Sequence, residues 1–194
     1  MLDEAPRVGP NAVIQLAEAS RLSGFAALAE RAFASSGHAD WFTTPPDEML
    51  EEGEVAAVHE ALWREAPADV ARRLVQDAGA RTADYVIEKR IPRVIRWLLE
   101  VAPPALAEPL LLAAIARHAW TFAGSGVFHA ASDGLARFWI GANPLASPVA
   151  GHCFWHEAVF TRMWQRLVTP SARVEELSCC GTGAPACRFR VVRG

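Results

Sequence analysis

The sequence predicts an α+β domain in which a run of helices precedes a small antiparallel sheet. Two observations carry this. Up to about Gly124, apolar residues recur at intervals of three and four, the spacing of one helix face, and prolines punctuate the run. Beyond Gly124 the apolar stretches shorten, become aromatic or β-branched, and are separated by turns rich in glycine, serine and aspartate, as in hairpins.

Taken in order, Gly9 and Pro10 open a first helix whose Ala12, Val13, Leu16 and Ala19 share a face. Phe25, Leu28, Ala29, Ala32 and Phe33 repeat at i, i+3, i+4, i+7 and i+8, with Gly37 as the stop. The stretch "HADWFTTPPDEM" reads as a loop, since Pro45 and Pro46 forbid regular structure, and Asp47 is placed to cap the next helix. From Glu54 the pattern is helical through Val55, Val58 and Leu62, and Pro67 starts a further helix carrying Val70, Leu74 and Ala78. Pro92 and the Pro103-Pro104 pair are breaks. Between and after them lie Val94, Ile95, Leu98 and Leu99, then Leu106, Leu110, Ala113, Ala114 and Arg117, both sets at helical spacing. Five or six helices are thus expected before Gly124.

"GVFHAAS" and "ARFWIGANP", separated by Ser132, Asp133 and Gly134, read as a hairpin. "CFWHEAVFTRMWQRLV" returns to helix with Val159, Met163 and Leu167 on one face and Pro170 beyond its end. "ARVEELSCC" and "ACRFRVVRG" are two closing strands around the glycine-rich turn "GTGAP". With no repeat, charge run or linker to divide it, the chain is expected to form one domain over 1–194, a helical part to 123 and an α+β part from 124.

Bulk properties narrow the function. A net charge of -3, from 19 basic and 22 acidic residues, gives no electrostatic reason to expect a nucleic-acid groove or an anionic membrane as partner. Hydrophobic residues make up 52% of the chain, with seven tryptophans and nine phenylalanines, a surplus to be placed in a core, an interface or an apolar pocket. "MLDEAPRVGP" has neither the basic start nor the apolar run of an export signal, so a cytoplasmic location is expected. Pro109 to Phe128 is about as long as a membrane span, but Arg117 and His118 stand at its middle, which favours a buried helix.

Three of the four cysteines fall inside "EELSCCGTGAPACRF". Reduced thiols disfavour a disulfide framework there and leave metal binding or free thiols. Zinc takes four ligands from thiolate, imidazole and carboxylate. Cys179 and Cys187 face each other across the turn, Glu176 can join them if the strand is irregular there, and Cys153 is the fourth candidate. Adjacent Cys179 and Cys180 point opposite ways in a regular strand, so one is a bystander. The competing reading makes Cys153 and Cys180 small buried hydrophobes and leaves the other two flanking a turn. Spacing leaves both open.

The pattern Cys153, then Glu176-x-x-Cys179, then Cys187-x-Phe189 resembles the vinyl-4-reductase domain over roughly Gly124 to Val192. That domain also occurs in the aromatic-sensing part of phenol-responsive activators and, more distantly, in vesicle-tethering subunits. In the sensors three cysteines and a glutamate at this spacing hold a structural zinc, which the resemblance carries to Cys153, Glu176, Cys179 and Cys187. The whole chain, through "RVGPNAVIQL" and "RHAWTFAGSGVF", resembles the bacteriochlorophyll-synthesis family described as 4-vinyl reductases, which act on a divinyl tetrapyrrole precursor. The resemblance also implies a homodimer formed through the helical part. The helix carrying Phe25 and Phe33 is apolar enough to be the contact.

Reducing a vinyl group needs a hydride or electron donor, which zinc cannot be. The one glycine-rich candidate, "AGSGVF", has His129 where the dinucleotide fingerprint needs its third glycine, so Gly124 and Gly126 are read as a helix-to-strand turn. An accessory protein that binds the pigment and presents it to pathway enzymes comes first, a true reductase second, and an effector sensor third. A tetrapyrrole calls for aromatic walls, here Trp97, Trp120, Phe122, Phe128, Phe138, Trp139, Phe154 and Trp155. His118, His129, His152 and His156 are candidate axial ligands for a magnesium tetrapyrrole, and Arg117 or Arg137 candidate partners for its carboxylate. Trp120, Phe128, His118, His129, Trp139 and Trp155 lead this set.

Overall fold

The computed structural model describes residues 5–132 and 136–193. A two-residue strand, β1 (Arg7–Val8), leads into α1 (Asn11–Leu22), α2 (Ala26–Ser35) and the short α3 (Ala39–Thr43). The strand β2 (Leu50–Glu51) pairs antiparallel with β1, and α4 (Glu52–Glu65), α5 (Ala68–Lys89), α6 (Arg93–Val101), α7 (Pro104–Arg117) and α8 (Trp120–Ala123) follow. The remainder is β3 (Val127–Ser132), β4 (Ala136–Gly141), α9 (Phe154–Leu167), β5 (Arg173–Ser178) and β6 (Ala186–Val192). The last four strands form one antiparallel sheet ordered β3-β4-β6-β5. The fold is α+β, as the change of periodicity at Gly124 predicts.

Two layers meet along α9. Its Phe160, Trp164 and Leu167 are fully buried against Phe138, Ile140, Phe189 and Val191 from the inner face of the sheet. Phe138 is the hub, with Phe160 edge-on at 4.5 Å, Phe189 stacked at 5.3 Å and Trp164 stacked at 5.7 Å. Truncating any one of these rings would cost about 3–5 kcal/mol in lost transfer energy and cavity formation. The opposite side of α9 packs on α5, the longest helix, which in turn packs on α1. Gly79 of α5 makes the crossing close, since a Cβ there would stand 2.5 Å from the carbonyl oxygen of Trp155. Asp84 of α5 fixes the register by accepting hydrogen bonds from Arg162 and Arg166 of α9.

Several expectations need correction. Eight helices, not five or six, precede Gly124 among the described residues. The stretch from His38 contains α3, because Pro45 lies beyond it and Phe42 can bury itself beneath the Arg21 guanidinium and beside Phe33. Asp47 caps nothing: α4 starts five residues later, with extended Glu51 before it, because β2 pairing occupies the intervening backbone. Phe33 is fully buried in the core, so α2 does not offer it to a second copy. The apolar stretch from Pro109 is no buried helix either. α7 ends at Arg117 and buries only Ala107, Glu108, Leu111, Leu112 and Ile115, while Leu106 and Leu110 face outward. No helix among the described residues is long and apolar enough to cross a membrane. Ser132 ends β3 as the hairpin reading requires, whereas Asp133 and Gly134 lie outside the described residues.

Candidate metal centre

Four side chains from three elements converge beside the start of α9. Cys153 immediately precedes that helix, Glu176 stands on β5, Cys179 follows β5, and Cys187 sits on β6. One ligand atom from each lies within 4.8 Å of all the others. A strand alternates its side chains, so Glu176 and Cys179, three apart, would ordinarily face opposite ways. The β5–β6 register shifts between Glu176 and Ser178, and this irregularity turns both inward. The spacing required such a break, and the fold contains it.

The sulfur–sulfur distances are 3.1 Å for Cys153–Cys187, 3.6 Å for Cys153–Cys179 and 4.0 Å for Cys187–Cys179. A tetrahedral centre with metal–sulfur bonds of about 2.3 Å has edges of about 3.8 Å, within that span. The Glu176 carboxylate is 2% exposed and asymmetric in its contacts. Oε2 accepts the backbone N–H of Cys153 at 2.8 Å and pairs with Nδ1 of His152 at 3.0 Å. Oε1 is buried without a partner. An unpaired buried carboxylate oxygen is costly, and a cation among the three sulfurs would relieve it. The donor set fits one metal ion.

The electrostatics agree. Hydrogen bonds with the Cys153 and Cys187 sulfurs hold Cys179 down to about 4, while contacts with Cys179 and Cys187, then burial, push Cys153 up. The cluster therefore crowds acidic groups that repel one another, with Glu176 raising both thiols. His152, opposed by partial burial, is raised to about 9 by its hydrogen bonds to Glu157 and Glu176 and stands as a cation outside the cluster.

Donors also surround the sulfurs. Buried Asn143 directs Nδ2 to Cys153 Sγ at 3.4 Å and to Cys187 Sγ at 3.5 Å, and the backbone N–H of Cys180 donates to Cys187 Sγ at 3.2 Å. Such donors stabilise thiolates and orient ligands. Cys180 thus serves through its backbone, with its side chain turned toward the Ile140 carbonyl. Asn143 is the participant that sequence reasoning missed. It lies in "GANPL", which reads as a strand end, and only the fold shows that its amide reaches the sulfurs.

The residues expected to touch a tetrapyrrole do not form one site. Trp155 is buried, edge-on to His59, and His156 is buried behind Phe122. A void of about 20 Å³ bounded by His59, Cys153, Trp155 and His156 has room for about one water. Phe128 is half-buried and stacks on Phe138. His118 and Trp120 are exposed where α7 meets α8. His129 and Trp139, by contrast, are cross-strand partners on the outer face of the sheet, rings stacked at 5.2 Å. Arg188, opposite Trp139 on β6, places its guanidinium 5.8 Å from that ring. Gly124, in positive φ, makes the turn between α8 and β3 as expected.

Comparison with known proteins agrees with the placement of this site. Residues 148–193, which contain all four converging side chains, match the V-4-R (vinyl-4-reductase) domain. No solved structure gives a significant match. The chain is 39% identical to the bacteriochlorophyll synthase 23 kDa chain of Cereibacter sphaeroides over 97% of its own length and 91% of the relative's. It is also 39% identical to the protein of that name from Rhodobacter capsulatus, over 96% and 87%. With this similarity along nearly its whole length, the chain belongs to the family of bacteriochlorophyll synthase 23 kDa chains.

Proposed function

We propose that this chain is an accessory protein of bacteriochlorophyll synthesis that holds a divinyl chlorophyllide- or protochlorophyllide-type tetrapyrrole and presents it to the pathway's enzymes. The observation that carries this reading is the row His129–Trp139–Arg188 on the open face of the sheet. An exposed imidazole can take the axial position of a magnesium tetrapyrrole, an indole can lie against its apolar plane, and a guanidinium can pair with its carboxylate. The three side chains occupy one cross-strand line and need no cavity. The concave site between α5 and α9, about 310 Å³, is lined by Gln76, Glu157, Arg162 and Gln165 and suits an apolar disc poorly.

Zinc is the ion proposed for Cys153, Glu176, Cys179 and Cys187, because three soft thiolates and one carboxylate in a tetrahedron match its preferences. With four protein ligands it would be a closed structural centre, tying the start of α9 to β5 and β6. Cys187 points inward and its neighbour Arg188 outward, so anchoring Cys187 also fixes Arg188 opposite Trp139.

The test is an absorption titration of the purified, metal-loaded chain with divinyl protochlorophyllide, without nucleotide or reductant. Binding should shift and sharpen the pigment's bands to saturation, and His129→Ala and Trp139→Ala should each weaken it at least about tenfold with the circular dichroism unchanged. Conversion of the vinyl to an ethyl group on adding one reductant would replace the carrier reading with the reductase. Failure of the pigment to bind would remove the proposal.

A further inference from the structure

The helix α6 is amphipathic in the reverse of the usual sense. Its apolar positions Val94, Ile95, Trp97, Leu98 and Val101 face solvent, with Val94 73% and Trp97 62% exposed, and only Leu99 reaches the core. Its charged positions, Arg93, Arg96 and Glu100, take the opposite strip. The next helix, packed against it, continues the pattern with Leu106 and Leu110 outward. A soluble domain rarely leaves so many large aliphatic and aromatic side chains of two consecutive helices in water, and such a face marks a docking surface.

Charge says what docks there. Residues 88–117 hold five basic side chains, Lys89, Arg90, Arg93, Arg96 and Arg117, in a chain whose net charge is -3. None of the five joins an ion pair among the described residues. Against them stand exposed Glu88 and Glu100, while Glu108 is buried and committed to Arg193. Two copies meeting through this face would set one basic cluster against another, which disfavours a symmetric dimer. An anionic surface is complementary. Aliphatic and tryptophan side chains bordered by arginine and lysine are the composition of a helix lying in a membrane interface, its cations at the headgroups.

We infer that the α6–α7 face seats the protein on an anionic lipid bilayer, peripherally and without a spanning segment. The net charge of the whole chain hides this because the positive groups are local. The inference is independent of the pigment reading, since it uses no residue of the outer sheet face.

Flotation of the full, metal-loaded chain with phosphatidylcholine vesicles containing about 30% phosphatidylglycerol, and with pure phosphatidylcholine, tests it. Wild type should float with the anionic vesicles at low salt, at least about tenfold better than with neutral ones, and lose most of that binding at high salt. Leu98→Glu should abolish binding, and Arg93→Glu with Arg96→Glu should cut it at least about tenfold. These positions are solvent-facing, and unchanged melting of the variants would confirm that the fold is kept. Absence of binding to anionic vesicles at low salt would overturn the inference. So would a wild-type dimer that Leu98→Glu converts to monomer, since the face would then be an interface between copies.

Discussion

The Glu176 carboxylate accepts the backbone N–H of Cys153 at 2.8 Å from a position 23 residues later in the chain. One oxygen of this buried group thereby holds the entrance to α9 while the other is left toward the three sulfurs. Glu176→Gln keeps the size and the acceptor but removes the charge, and Glu176→Ala removes all three. Bound zinc, measured by elemental analysis at about one per chain in wild type, should fall in the first and vanish in the second. Cys187→Ser should lose the metal as well, whereas Cys180→Ser should retain it, because the Cys180 contribution is a backbone N–H. Wild-type protein isolated without chelator and free of metal would remove the site.

Asn143 offers a subtler test. Its amide reaches two sulfurs without being a ligand. Asn143→Ala should fold and still bind zinc, with affinity about 10–100-fold lower in a chelator competition. An unchanged affinity would show that the contact matters only to packing.

Gly79 gives a case where two effects oppose each other. Replacing a helix-interior glycine by alanine ordinarily stabilises by about 1 kcal/mol through propensity. Here the new methyl would meet the Trp155 carbonyl at 2.5 Å and Ala158 Cβ at 2.9 Å, and both belong to α9. Overpacking of this kind costs about 1–3 kcal/mol and should win. Gly79→Ala should lower the urea midpoint, and a rise would mean that α9 yields easily.

Acid sensitivity follows from two buried histidines. Burial lowers His156 to about 3, against the opposing hydrogen bond to the Phe122 carbonyl, and also lowers His59, against its bond to Ala12. Between about pH 6.5 and 3 the unfolded chain takes up a proton at His156 that the folded chain does not, so stability rises with pH in that window and is lost as pH falls. The slope from His156 alone approaches about 1.4 kcal/mol per pH unit. Denaturant unfolding from about pH 6.5 to 5 should show the decline, and His156→Phe should reduce its slope. The same slope in the variant would assign the effect to other groups.

Much of this was legible in the residues, and the rest follows physical limits. The long helices announced themselves because Val55, Val58 and Leu62 or Val70, Leu74 and Ala78 keep a face buried in both sequence and structure. α6 and α7 were recognised as helices with the wrong side assigned to the core, since periodicity finds an apolar stripe but not what it faces. α3 and the β1–β2 pair were invisible because five-residue and two-residue elements are held by distant contacts such as Arg21 on Phe42. The four-residue cluster was readable from spacing and resemblance, but Asn143 was not, because its amide reaches the sulfurs by chain folding across 10 and 44 residues. Trp155 and Phe128 were placed among candidate ligand walls by composition, and the structure packs both into or against the core.

The outer face of the sheet is open, and this bears on how cargo would leave. A flat molecule resting on His129, Trp139 and Arg188 would be covered on one side only, its other side facing water or whatever protein approaches. A receiving enzyme could therefore engage the exposed side before the first contacts break, passing the cargo through a three-body sandwich without releasing it to solvent. A closed pocket would have to open first. The rate of such a transfer would then depend on the concentration of the acceptor, not on unaided dissociation of the cargo.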